Sequence, residues 1–202
     1  PEQVDVLVVG SGPAGMLTAA QLSQFPNITS RIVGRRDGRL AIGQADGIQA
    51  RSVETFQAFG FAEEITAEAY RITEMCFWRP DPQDPSRIVR SGRALDDEAG
   101  ISEFPHLIVN LARVLDYFAR VMANAPTRMK PDYGFEFVGL EVDDDAEYPV
   151  TVTLLRTAGP DEGTSRTVKA KYVVGSDGAR SKVRSAIGCT LDGDKANHAW
   201  GV

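Results

Sequence analysis

Three glycines, Gly10, Gly12 and Gly15, stand between an apolar run and a helix-patterned one in VDVLVVGSGPAGMLTAAQL. In the GxGxxG spacing each glycine has its own task. The first permits a tight turn, the second lets the backbone approach a pyrophosphate, and the third lets the helix pack on the strand. The start of that helix offers free N–H groups and a positive dipole end to phosphate. Pro13 falls in the first turn, where its missing N–H costs little. Gly10, Ser11, Gly12, Pro13, Ala14 and Gly15 are therefore candidate dinucleotide-binding residues.

A dinucleotide site of this kind normally carries an acid about 20 residues further on, to hold the adenosine ribose hydroxyls. Here the strand SRIV ends on Gly34, followed by Arg35, Arg36 and Asp37. Arginines at this place suit the 2′-phosphate of NADP. An ordinary dinucleotide site that lacks one ribose contact fits as well, and the motif by itself separates neither.

The remaining composition narrows the class. Net charge is −6, which disfavours a nucleic-acid partner, because phosphate binding wants a basic face. No apolar run approaches the roughly 18 residues of a membrane span. VDVLVVG is short and has no basic flank, unlike a signal peptide. Cys76 and Cys189 are far apart and sit in no metal-binding pattern, which suits free thiols in a reducing cytoplasm. No metal site is expected, and the acidic run Asp143–Asp145 reads as a solvated turn.

The elements that must position the glycines are legible nearby. Val4–Val9 reads as a strand buried on both faces, the segment after the glycines as a helix, and Ser30–Val33 as a second strand. Helices are expected over SVETFQAFGF, Glu63–Ala69 and Val109–Ala123. Strands are expected at Ile72–Trp78, Arg87–Arg90, Phe135–Val142, Val150–Arg156 and Thr167–Val174, and a short helix after GSDG. RSGRALDDEAGISEFPH reads as loop. The fold class is α/β: a nucleotide-binding core over about 1–70, 100–126 and 165–190, with a smaller interleaved sheet from about 71–92 and 130–160, all one domain over 1–202.

Three segments together, VVGSGPAG, IGQADGIQARSVETFQAFGF and YVVGSDGARSKVRSAIG, resemble the class A flavoprotein aromatic hydroxylases. The likeness is strongest to their 3-hydroxybenzoate 4-monooxygenase and phenol 2-monooxygenase branch. FWRPDP, SEFPH and the ending ANHAWGV add to it, and it covers essentially the whole chain. The resemblance implies a Rossmann-like, p-hydroxybenzoate-hydroxylase-like FAD-binding fold, with FAD in the GSGPAG turn and NADPH as electron donor. Gly43, Gln44, Ala45, Gly47 and Ile48 would run alongside the flavin. Arg51 would lie near the FAD phosphates, Arg35 at the adenosine end, and Asp177 in a motif serving FAD and NADPH. Asp46 would act as acid/base beside the flavin and the substrate hydroxyl. His106 would face a substrate carboxylate. The implied reaction is hydroxylation of a small phenolic substrate by O2 through a flavin C4a-hydroperoxide, in a cytoplasmic enzyme whose full-length form is a homodimer. Residue type alone also allows Asp46 to cap the helix near Ala50, His106 to be structural, and Asp177 to form a turn.

Three departures qualify the likeness. Gly34 replaces the ribose-binding acid, and an acid restored there is expected to tighten FAD. Leu111 stands where the family usually has a glutamine that hydrogen-bonds FAD. The resemblance stops partway through the family's fold, so the chain is expected to be a truncated, FAD-binding portion with feeble activity alone. The rival readings are a catalytically inactive flavin-binding or interaction domain and, from GxGxxG with Arg35 and Arg36, a NAD(P)-dependent dehydrogenase.

Overall fold

A computed structural model of the chain describes residues 2–43, 45–96, 99–194 and 196–197. Gln44, His198 and the rest of the closing HAWGV lie outside the described residues. In chain order the elements are β1 (Glu2–Val9), α1 (Pro13–Leu22), β2 (Ser30–Gly34), β3 (Gly47–Ile48), α2 (Ala50–Ala58), α3 (Ala62–Glu68), β4 (Tyr70–Ile72) and β5 (Glu74–Pro80). They continue as β6 (Ile88–Leu95), β7 (His106–Ile108), α4 (Leu111–Asn124), β8 (Asp132–Tyr133), β9 (Phe135–Val142), β10 (Val150–Arg156), β11 (Ser165–Gly175) and α5 (Lys182–Ala186). The chain divides into two compact units, residues 1–38 with 122–202, and residues 39–121.

The first unit is built on a six-stranded sheet in the order β8-β2-β1-β11-β10-β9. β1 pairs in parallel with both β2 and β11, and β2 in parallel with β8. β10 pairs antiparallel with β11 and β9, so the sheet is parallel on one side and antiparallel on the other. Leu7, Val8, Ile32 and Val33 are fully buried, as the unbroken apolar runs of β1 and β2 require. Val152 and Leu154 on β10 are also fully buried, while Thr153 between them is half-buried, the period-two pattern of a strand with one core face. Each fully buried aliphatic side chain of this core contributes about 1.5–3 kcal/mol.

One expectation is corrected. The sequence places the strands at 135–142 and 150–156 in a smaller sheet, yet they extend the sheet of β1 by antiparallel pairing through β11. Their alternation is the same whichever sheet they join, so the local pattern carried no partner information.

The second unit carries a three-stranded sheet, β3-β7-β4, and a two-stranded ribbon, β5-β6. The ribbon runs through Leu95 and takes in residues expected as loop, because Gly92, Arg93, Ala94 and Leu95 pair with Phe77, Cys76, Met75 and Glu74. Its helices meet through aromatic rings. Phe61 stacks on Phe56 at 4.9 Å and on Tyr117 at 5.0 Å, and Phe118 stands edge-on to Phe61 at 5.3 Å. Gly60, at φ +79°, ends α2 in the left-handed conformation that favours glycine. Among the described residues no helix is long and apolar enough to cross a membrane.

Candidate functional site

In the first unit the glycine turn is held by backbone alone. The Gly10 N–H donates to Val33 O at 2.8 Å, and the Ser176 N–H donates to Val9 O at 2.7 Å. Gly10 has φ +112°, and a Cβ there would lie 2.2 Å from Ser176 O. A Cβ on Gly15 would lie 1.8 Å from Gly10 O. Neither position tolerates a side chain, because the obstructing atoms are backbone. Gly12 differs: nothing lies within 4 Å of its Cβ position. That glycine is open to a ligand, whereas its two neighbours are closed by the fold.

Gly12 is also the N-cap of α1, and no side chain caps this end. Pro13 opens the helix, and its first turn has no acidic residue. The first-turn N–H groups therefore have no side-chain acceptor and no competing carboxylate, while the dipole end is positive. Pro13 and Ala14 are exposed beside them. These residues fit a pyrophosphate.

The tip of β2 lies alongside. Gly34 is buried, and a Cβ built on it would lie 2.1 Å from Ser11 Oγ and 2.7 Å from Ser11 Cβ. An acid restored at position 34 alone therefore has no room, which corrects the expectation that it would tighten FAD. Arg35 and Arg36 are exposed, and their carbonyls accept hydrogen bonds from Thr157 Oγ1 at 3.0 Å and Gly134 N–H at 2.5 Å.

Asp177 is half-buried with its carboxylate turned to α5. One oxygen accepts from Ser181 Oγ at 2.5 Å, and the other from the Lys182 N–H at 2.7 Å and the Val183 N–H at 3.2 Å. Burial raises its pKa, but these hydrogen bonds, that of Ser181 first, prevail and hold it below the ordinary carboxylate value. The Asp177 side chain thus caps the start of α5. Its backbone N lies 2.8 Å from the Cβ position of Gly10, so the GSDG and GSGPAG turns are brought together.

In the second unit the segment 39–48 is tied to the start of α4. Arg39 reaches Asp116 through two bonds, of 2.8 and 2.6 Å. Asn110 Oδ1 accepts from the Gly43 N–H at 3.1 Å and from the Ala112 N–H at 2.9 Å, so one amide caps α4 and holds the loop. The Asp46 carbonyl accepts from the Val109 N–H at 2.9 Å, and Gly47 and Ile48 pair with Ile108 and Leu107. Ala45 and the Asp46 side chain are exposed.

His106 stands on β7 with Nδ1 2.7 Å from Asp96 Oδ1, the two side chains only 10% and 14% exposed. Its Nε2 lies 3.5 Å from the Cβ position of Gly47, so the second ring nitrogen faces the residue after Asp46. His106 also lines an open cleft of about 490 Å³, shared with Arg51, Arg71, Asp96, Ser102 and Phe104. The structure thus brings Gly47 and His106 onto neighbouring strands, with Asp46 directly before the first of them, and Arg51 and His106 onto one cleft.

Sequence reasoning missed Asp96 and Asn110. Asparagine directly before a helix is a capping signal that was available at Asn110. Asp96 carries no local signal, since its partner is fixed by tertiary placement.

The comparisons with known proteins identify the family. The family model described as FAD binding domain matches residues 3–202. A 3-hydroxybenzoate 4-monooxygenase of Comamonas testosteroni is 53% identical over 203 residues, covering 100% of this chain and 32% of that protein. An FAD-dependent monooxygenase of Aspergillus terreus is 37% identical, covering 98% of this chain and 32% of the relative. Among solved structures, the flavin-dependent monooxygenase PieE in complex with FAD and substrate superposes with a TM-score of 0.77 at 27% identity, covering 95% of this chain and 33% of that one. The chain spans about a third of the length of the curated relatives it matches. It belongs to the FAD-binding domain family, and the relatives it matches are flavin monooxygenases.

Proposed function

We propose that the chain is the FAD-binding portion of an NADPH-using monooxygenase that hydroxylates a phenolic ring, of the 3-hydroxybenzoate or phenol type. The observation that carries this reading is the uncapped start of α1 beside Gly12, the open member of the three glycines. When bound and reduced by NADPH, FAD supplies the activation of O2 that places one oxygen atom on the ring.

The residues divide the work. Gly10, Ser11, Gly12, Pro13, Ala14 and Gly15 hold the FAD pyrophosphate by backbone N–H groups and dipole. Asp177 fixes the turn beside Gly10 by capping α5, and Arg35 serves the adenosine end. Gly43, Gln44, Ala45, Gly47 and Ile48 run beside the flavin, and Arg51 meets FAD phosphate charge. Asp46 takes the proton of the substrate hydroxyl, because a ring attacked by an electrophilic oxygen reacts faster as the phenolate. Asp96 accepts from His106 Nδ1 and orients the ring, and the imidazolium form of His106 donates through Nε2–H to a substrate carboxylate. The working enzyme is a cytoplasmic homodimer.

Purified chain titrated with FAD tests the cofactor assignment. Flavin fluorescence should be quenched on binding. Failure to bind at roughly tens of micromolar FAD, alongside binding of NADPH, would sink the flavoprotein reading. In a full-length relative carrying these residues, Asp46→Ala should impair hydroxylation far more than FAD retention. Equal loss of both would assign Asp46 to structure.

A further inference from the structure

The tip of β2 lacks a carboxylate, yet the space beside it is not empty. Val9 and Val33 are register partners in the parallel β1–β2 pair, so the residues that follow them, Gly10–Ser11 and Gly34, emerge side by side. Ser11 is 6% exposed, and its hydroxyl oxygen lies 2.1 Å from where a Cβ on residue 34 would be. The serine side chain thus occupies the first position of the missing acid. Among the described residues its hydroxyl has no hydrogen-bond partner, and no fully sealed side-chain polar atom is unsatisfied. The hydroxyl therefore keeps an opening to the outside. Ser11 directly precedes Gly12 and the free end of α1, where a pyrophosphate fits. An uncommitted hydroxyl, almost wholly buried and one residue from a phosphate cradle, is suited to a neutral polar partner such as a ribose hydroxyl.

We infer that Ser11 is the adenosine-ribose contact of this chain, and that positions 11 and 34 are coupled: the pair holds either a hydroxyl at 11 or a carboxylate at 34, because the two side chains share one space. The inference rests on the FAD reading above and adds to it which atom serves the ribose. A further consequence is that the ribose end of this site carries no titrating group from Ser11 or Gly34.

FAD affinity of four forms of the full chain tests it: wild type, Ser11→Ala, Gly34→Glu, and Ser11→Gly combined with Gly34→Glu, with Ser11→Gly as reference. Melting curves report that each is folded. Ser11→Ala should weaken FAD about three- to tenfold, the range of one lost hydrogen bond. Gly34→Glu alone should also weaken FAD, since its Cβ collides with Ser11. The double variant should bind FAD more tightly than Ser11→Gly, and its affinity should fall as pH drops through the carboxylate range while that of wild type does not. Unchanged affinity in Ser11→Ala overturns the ribose role. A Gly34→Glu chain that binds more tightly than wild type, or a double variant no better than Ser11→Gly, overturns the coupling. A wild-type chain that binds no FAD overturns the functional reading itself, a different result from any difference among the variants.

Discussion

A Cβ placed on Gly43 would lie 2.4 Å from the Cβ of Leu111 and 2.8 Å from its backbone N. The loop carrying Gly43 and the first turn of α4 are therefore in contact through a glycine that has no substitute. Gly43→Ala should lower stability by about 1–3 kcal/mol, the usual cost of overpacking, and displace the loop. Trimming Leu111 to alanine should not rescue it, because the Cβ and the backbone N both remain. Thermal melting of the single and double variants checks this.

The Asp96–His106 pair makes a prediction about protonation. With Asp96 accepting from Nδ1, the neutral ring carries its proton on Nδ1 and leaves Nε2 bare. Long-range proton–nitrogen spectra of the imidazole should show this tautomer in wild type. Asp96→Ala should shift the population toward the Nε2–H form and cost about 1–3 kcal/mol, as for hydrogen bonds to a charged group. An unchanged spectrum would mean that the pair does not persist in solution.

Asp177 gives a cap with a pH signature. Replacing it by alanine removes the acceptors of Lys182 and Val183 N–H and should cost about 1–2 kcal/mol near pH 7. Its folded pKa is lowered from an ordinary 3.8, so its contribution is complete above that value and is lost as pH falls through the lower one. Wild type and Asp177→Ala should therefore converge in melting temperature only in strong acid. Convergence already at pH 5 would refute this.

Asp5 should dominate a second acid response. It pairs with Lys171 Nζ at 2.7 Å and accepts from the Thr29 N–H and hydroxyl at 2.8 and 2.7 Å. Lys171 first, then Thr29, hold its pKa down at about 2, against an ordinary 3.8. Its share of stability is present above 3.8 and disappears between that pH and about 2. Asp5→Asn should flatten the acid limb of the melting-temperature profile over this window.

The legible part of the fold was the part whose signal is local. The run VDVLVV, the glycine spacing and the helix after it specified β1, the turn and α1, because periodicity and backbone conformation are read within ten residues. Alternation likewise located β9 and β10, but not the sheet they join. β3 and β7 went unread inside LAIGQADGIQ and SEFPHLIV, since strands of two and three residues have no period. In the site, the glycines and the position of Gly34 were readable. The meaning of Gly34 was not, because it depends on Ser11, which lies on a different strand end.

The first unit also sets the order of events at synthesis. β1 lies between β2 and β11, and Glu2 is paired with Val168. The central strand of the sheet thus leaves the ribosome long before one of its two neighbours exists. At about 5–20 residues per second the wait is on the order of ten seconds. During that wait residues 39–121, whose sheet and ribbon pairings among the described residues are internal to that unit, are complete and free to fold. The nascent chain therefore has to shield an unpaired edge of VDVLVV, which makes β1 the segment where chaperone capture or misassembly should begin.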